Sequence, residues 1–159
     1  MIQAITETNL TTFIQTEDTR IDTSVALDMI RYLVKFTNDM DKSIQYAYSQ
    51  GLIVNERYNK MLFPYNATPD VYEGKVNFLP SGYWKYEVFE VSWTGAVAIS
   101  AGNAPINEND VLPVGPTHGV VQGLITKGKM YVADKDGTAQ VQYTQRQAPT
   151  ETNYIYYGQ

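Results

Sequence analysis

Residues 23–49, TSVALDMIRYLVKFTNDMDKSIQYAYS, decide the fold class of this chain. Ala26, Ile30, Leu33, Thr37, Met40, Ile44 and Ala47 recur at intervals of three, four or seven, which is the spacing of one face of an α-helix. Arg31, Lys35, Asp39, Asp41 and Lys42 fall largely off that stripe, while Val25, Met29, Tyr32 and Phe36 form a second apolar row beside it. Upstream, Asp22, Thr23 and Ser24 supply side-chain acceptors suited to a helix start, and Asp28 lies where the helix dipole favours an anion. Downstream, Gly51 stands where a left-handed cap is favoured. The stretch predicts an amphipathic helix from about residue 23 to about residue 49, with an apolar face wide enough for two partners.

On either side the pattern differs. Residues 1–21 are Thr-rich with scattered apolar residues and read as a short strand or an extended arm. Leu52 to Phe63 has room for a further turn or two of helix before Pro64, and Asn66 to Asp70 reads as a loop. After Asp70 the period becomes two. Val71 to Leu79 is a candidate strand, Pro80-Ser81-Gly82 a turn, and Tyr83 to Trp93 (YWKYEVFEVSW) the clearest strand in the chain. There Trp84, Tyr86 and Val88 share one face, and Tyr83, Lys85, Glu87, Phe89, Val91 and Trp93 the other.

Further strands are predicted at Ala96 to Ser100, Gly119 to Thr126, Lys129 to Ala133, Ala139 to Gln145 and Asn153 to Tyr157. Asp136-Gly137 would close a hairpin between Met130-Tyr131-Val132 and Val141-Gln142-Tyr143. Gly102 to Thr117 holds three of the seven prolines and reads as one long loop, a kind usually functional or mobile. The expected fold is α+β: an N-terminal amphipathic helix plus a mainly antiparallel β-sandwich or small β-barrel. Its expected segments are an N-terminal arm (1–21), a helical segment (22–63) and an antiparallel β domain (64–159).

Composition narrows the function. The 159 residues are 43% hydrophobic, enough for an ordinary core. The net charge of −5 is spread evenly, with 6 basic against 8 acidic residues over 1–60 and 6 against 9 beyond. Neutralising nucleic-acid phosphates needs clustered Lys and Arg; the densest cluster, Lys127, Lys129 and Lys135, is offset by Asp134 and Asp136, so direct nucleic-acid binding is not expected. No apolar run approaches the roughly 20 residues of a membrane span, and residues 1–20 lack the pattern of a secretory signal. With no cysteine, disulfides, thiolate metal sites and thiol nucleophiles are excluded. Thirteen Tyr, two Trp and five Phe suit contacts with proteins or sugars wherever their rings are exposed.

Chemistry finds little support. His118 is the single histidine and has no neighbouring carboxylate in sequence, whereas a zinc site or a serine triad needs several positioned groups. Gly123 to Lys129 (GLITKGK) matches part of a phosphate-binding loop, but Met130 replaces the magnesium-holding Ser or Thr and strand-like residues flank it. Asp134, Asp136 and Gly137 resemble the start of a calcium loop, yet Gln145 stands where the bidentate Glu belongs. Glu87 and Glu90 are three apart on a strand and point to opposite faces, so they are no acid and base pair. Asn9-Leu10-Thr11 and Asn66-Ala67-Thr68 have the form of glycosylation acceptors and carry no assigned role. The expectation is a protein that is not an enzyme and has no cofactor and no metal.

Three stretches carry a resemblance: Thr16 to Asp41 (TEDTRIDTSVALDMIRYLVKFTNDMD), Pro80 to Trp93 (PSGYWKYEVFEVSW) and the segment from Gly119 (GVVQGLITKGKMYVADKDGTAQVQYTQ) through NYIYYG. Together they resemble small virion structural proteins of tailed bacteriophages. The resemblance implies a virion subunit, assembled in the host cytoplasm, that docks by protein–protein contact. A head-associated decoration or cement role comes first; a head–tail connector or tail protein is the alternative, and a carbohydrate-binding adhesive module the alternative of another class. Expected partners are a major capsid protein or portal and tail proteins, with many copies or a homo-oligomer, and neither nucleic acid nor membrane. The expected contact residues are Tyr32, Phe36, Tyr83, Trp84, Phe89 and Trp93.

Overall fold

The computed structural model describes residues 1–54 and 58–137. Eight strands form two sheets: β1 (Ile2–Ile5), β2 (Leu10–Ile14), β3 (Ile30–Asn38), β4 (Ile44–Tyr48), β5 (Gln50–Val54), β6 (Asn59–Phe63), β7 (Gly82–Ser92) and β8 (Val120–Ala133). The larger sheet runs β1-β8-β7-β3-β4 and the smaller β2-β6-β5. Only β1 and β8 pair in parallel; the other neighbours are antiparallel. The chain crosses between sheets at both sides, through the turn after β1 and through Ser49 between β4 and β5, so the sheets curl into a half-barrel.

No α-helix occurs among the described residues; two single 3-10 turns, Glu17–Thr19 and Leu27–Met29, are the only helical backbone there. The expected helix at 23–49 is instead β3, a tight turn and β4. The physical reason lies in the composition of the stretch. Ile30, Tyr32, Val34 and Phe36 are β-branched or aromatic, and their period of two gives a fully buried inner row. The two apolar rows that suggested a wide helix face do not survive as rows: Ile30 of the first joins Tyr32 and Phe36 of the second on the inner side of a central strand, Leu33 lies on its other side, and the strand is paired with β4 on one edge and β7 on the other. Asp22 does accept from the backbone and hydroxyl of Ser24 (2.9 and 2.6 Å), but it closes an Asx turn with no α-helix behind it. Met40 to Lys42 form the connection, held by Asn38, whose Oδ1 accepts from Met40 N at 2.7 Å.

Other boundaries move too. Residues 1–21 supply β1 and β2, and the turns of helix expected over Leu52 to Phe63 are replaced by β5 and β6. Val71 to Leu79 and Ala96 to Ser100 are not strands; the first region has only the isolated bridges Tyr65 to Val76 and Asp70 to Lys75. The two strands expected at 119–126 and 129–133 are one, because Lys127 and Gly128 stay paired with Glu87 and Tyr86. Gly128 fits there because it has no side chain: a Cβ would lie 2.5 Å from Tyr86 Oη. The expected strands at 139–145 and 153–157 lie outside the described residues. The second strand of the hairpin expected across Asp136-Gly137, residues 141–143, likewise lies outside the described residues.

Between the sheets lies one core. Trp84 and Val88 of β7, Ile30, Tyr32, Val34 and Phe36 of β3, and Met130 and Val132 of β8 meet Leu10, Ile14, Met61 and Phe63 of the smaller sheet. Phe36 sits edge-on to both Phe63 and Phe78, and Phe78 to Trp84, an arrangement favoured by ring quadrupoles. One acidic side chain enters this face: Glu90 is fully buried and accepts from the backbone N–H of Ile21 (2.9 Å) and Asp22 (2.7 Å). It fixes the long connection between β2 and β3 against β7.

Strand and helix both bury Phe36 but differ on Met40, which lies on the helical stripe yet is 80% exposed at the turn. Phe36→Ala is expected to cost about 3–5 kcal/mol of stability, and Met40→Ala to stay within about 0.5 kcal/mol. Urea unfolding of the two variants measures both.

Candidate functional site

The alternation that buries one side of β3, β7 and β8 sends the other side outward, and this outer face has two zones. Toward the end of β7 it is apolar: Leu33, Tyr48, Phe89, Val91, Trp93 and Ala104 form a second core. The cover is the segment from Trp93 to Gly119, which folds back over the sheet. Tyr48 Oη donates to Pro105 O at 2.8 Å, and the N–H of Gly119 to Asn103 O at 2.8 Å. Gly95 and Ala96 both donate to Pro116 O, at 2.9 and 3.2 Å. Gly119 is required where it stands, for a Cβ there would lie 2.6 Å from Trp93 Cζ2.

Charge completes the anchoring. Glu108, within the loop, accepts from Lys35 Nζ of β3 at 2.6 Å and from Tyr46 Oη of β4. Burial alone raises the Glu108 carboxyl, but the hydrogen bonds from Lys35 and Tyr46, with Lys35's charge, outweigh it and hold the group below the ordinary glutamate value. The Tyr46 phenol moves up, first through burial and then through its bond to Glu108. Beyond this pinned base the loop turns outward. Val111 is 90% exposed, Val114 is fully exposed, and Ile106 is also exposed, so a fixed loop presents an apolar tip.

The second zone is polar. Strand register places Lys35, Glu87 and Lys127 in one row and Thr37, Lys85 and Lys129 in the next. Lys35 Nζ lies 3.8 Å from Glu87, and Lys85 Nζ 3.0 Å from Asp39. Lys127 and Lys129 are exposed and make no ion pair among the described residues. Thr37, Lys85, Glu87, Lys127 and Lys129 wall an open groove of about 510 Å³ whose floor is Tyr86 and Gly128. One row further, Tyr83 and Tyr131 stand side by side with ring centroids 5.1 Å apart.

Five of the six residues expected to contact partners are buried within the chain itself. Tyr32, Phe36 and Trp84 belong to the core between the sheets, and Phe89 and Trp93 to the core beneath the loop. Tyr83 alone of the six is exposed, at 59%. Lys127 and Lys129 were legible as a local cluster, but their third member is Lys85, brought across from β7; Lys135 lies in the turn after β8, paired with Glu7 at 3.0 Å. Val111 and Val114 carried no signal beyond their place in a long loop.

The remaining candidates resolve locally. Gly123 to Lys129 is the middle of β8, a pleated strand and no phosphate cradle. Asp134 Oδ1 accepts from Asp136 N at 3.1 Å, as a turn former. Glu87 faces outward and Glu90 inward, on opposite sides of β7 as its spacing requires. His118 is half-buried beside Gly115. Among the described residues no group of three or more His, Cys, Asp or Glu could hold a metal ion, and no helix is long and apolar enough to cross a membrane.

Fold and face together define, over the described residues, a mostly β protein with a fixed apolar tip and a lysine-walled groove on one side. No protein-family model, no curated protein and no solved structure matches it.

Because the folded state holds Glu108 below its unfolded value, the carboxylate stabilises the fold above the unfolded pKa, and that contribution is lost as pH falls through the folded pKa. The stability gap between wild type and Glu108→Gln should therefore be open at neutral pH and close in acid, as read by urea unfolding across that range. A gap independent of pH would contradict the assignment.

Proposed function

We propose that the chain is a non-catalytic structural subunit that docks on a neighbouring protein through the tip of the Trp93–Gly119 segment. Following the resemblance in its sequence, the neighbour is the coat protein of a tailed-bacteriophage head, and the chain acts there as a decoration or cement subunit.

One observation carries this reading: the base of the loop is pinned by Tyr48, Asn103 and Glu108 while Val111 and Val114 face solvent. An apolar side chain held in water by a rigid support costs little further ordering when it enters a partner. Burying a valine contributes roughly 1.5–3 kcal/mol, so two suffice for the centre of a small contact. Asp110 beside the tip adds one acidic residue at its edge, and the complementary partner is an apolar socket with a basic group at its rim.

The adhesive alternative would stack sugar rings on Trp84, Trp93 and clustered tyrosines; both tryptophans are fully buried and offer no ring, which leaves it exposed tyrosines alone. A connector at the head–tail junction would use the same tip and differs only in location.

In particles purified from a culture expressing the chain from its native locus, the chain should appear at a fixed ratio to the major coat protein. Val111→Asp combined with Val114→Asp should lower its rebinding to stripped particles by at least about tenfold with no change in its unfolding midpoint. Absence from the particles, or undiminished rebinding of the double variant, would sink the docking proposal. Immunogold labelling of intact particles separates the locations, marking the shell for a head subunit and the neck for a connector.

A further inference from the structure

The groove on the polar zone lies apart from the loop tip and needs a different ligand. Its walls and the residues beside them come in rows along β7 and β8: the Tyr83 and Tyr131 pair next to the groove, then Lys85 with Lys129 and Thr37, then Glu87 with Lys127 and, beyond the wall, Lys35. Successive rows are two residues apart, about 7 Å at strand rise, so aromatic, cationic and mixed-charge positions follow one another along a straight track. Lys127 and Lys129 are the ammonium groups of the track left without a carboxylate among the described residues. The positive face thus sits on a chain whose net charge is −5.

From this geometry we infer that the groove binds an acidic saccharide. Lys127 and Lys129 pair with ring carboxylates, Glu87 and Thr37 exchange hydrogen bonds with hydroxyls, and the apolar face of a sugar ring lies on Tyr83 or Tyr131. A nucleic-acid strand fits less well. Its binding rests on dense Lys and Arg, whereas Glu87 stands between Lys35 and Lys127 in the last row of this track and repels a phosphate chain. A carboxylate-bearing sugar alternates charge with neutral hydroxyls, which is what a carboxylate between lysines can accept. The tyrosine pair adds a surface for stacking at low entropic cost, because each ring turns about only two side-chain torsions.

Calorimetric titration of the purified full chain tests this with tetragalacturonate as the probe and neutral galactotetraose, polyphosphate, oligothymidylate and polyglutamate beside it. The expected result is binding of tetragalacturonate alone. Tyr83→Ala, and Lys127→Gln combined with Lys129→Gln, should each weaken it by about tenfold, an interaction of ordinary size for one stacked ring or a pair of charge contacts. Lys42→Ala, in the exposed turn after β3, should leave it unchanged. All of these side chains are exposed, so unfolding midpoints should stay at the wild-type value, and Tyr131→Ala serves as a second aromatic variant should Tyr83→Ala shift its own. No binding of tetragalacturonate, equal binding of polyphosphate, oligothymidylate or polyglutamate, or binding indifferent to both tyrosines would overturn the inference. The last two outcomes would mark the groove as a simple anion exchanger.

Discussion

The alternation of side chains along β7 is the constraint on which the rest of the molecule depends. Trp84, Val88 and Glu90 point between the sheets, while Phe89, Val91 and Trp93 point beneath the loop. One backbone therefore serves two cores, and a slip of one residue would exchange them, driving Glu90 out and Phe89 in. The register is fixed on one side by nine consecutive pairs with β3. On the other, β8 departs from regular pairing at Val88/Phe89 and again at Glu90/Val91, where extra residues bend the strand without moving β7. Glu90 adds a chemical lock, because its carboxyl group satisfies two backbone N–H groups that no other described side chain serves. Burying such a group is tolerable only with partners of this kind.

Two cores on one strand explain where the aromatic side chains went. Rings on both faces of Tyr83 to Trp93 suggested more apolar surface than one small fold could hide. The loop from Trp93 to Gly119 supplies the missing cover, so Phe89 and Trp93 are enclosed by the chain's own residues. What remains outside is smaller and more specific: the Val111 and Val114 tip, the Tyr83 and Tyr131 pair, and Phe13 packed edge-on to Tyr58 on the smaller sheet. Scattered exposed apolar residues are normal on any protein. A tip held by a buried base is a different matter, since its exposure is enforced by the structure beneath it.

Local pattern made β7 and its two faces legible, along with the strands merged into β8 and the long loop. It failed at β3 because Leu33 interrupts an otherwise clean alternation. Ile30, Leu33, Thr37 and Ile44 then fit a helical stripe as well as Ile30, Tyr32, Val34 and Phe36 fit a strand. What decides between them is pairing with β7, 46 to 62 residues away in sequence, and tertiary pairing overrides local periodicity. The candidate site divides in the same way. Lys127 and Lys129 are two apart and visible together, whereas Lys35 and Lys85 join them only through the sheet, and Glu108 meets Lys35 only because the loop folds back.

That fold-back also sets the charge of the polar zone. Lys35 stands between two carboxylates, 2.6 Å from Glu108 and 3.8 Å from Glu87, and the shorter contact dominates. Glu108 therefore occupies Lys35 and leaves Glu87 more open to its other row neighbour, Lys127, and to solvent. If the loop lifted, Lys35 would turn to Glu87 alone, and the groove would lose the exposed carboxylate that distinguishes it from a plain row of lysines. The apolar tip and the lysine groove are separate surfaces, yet both depend on one ion pair at the base of the loop. A ligand that bound the groove through Glu87 would strengthen the Lys35 to Glu108 contact by removing its competitor, and would do so without moving the backbone.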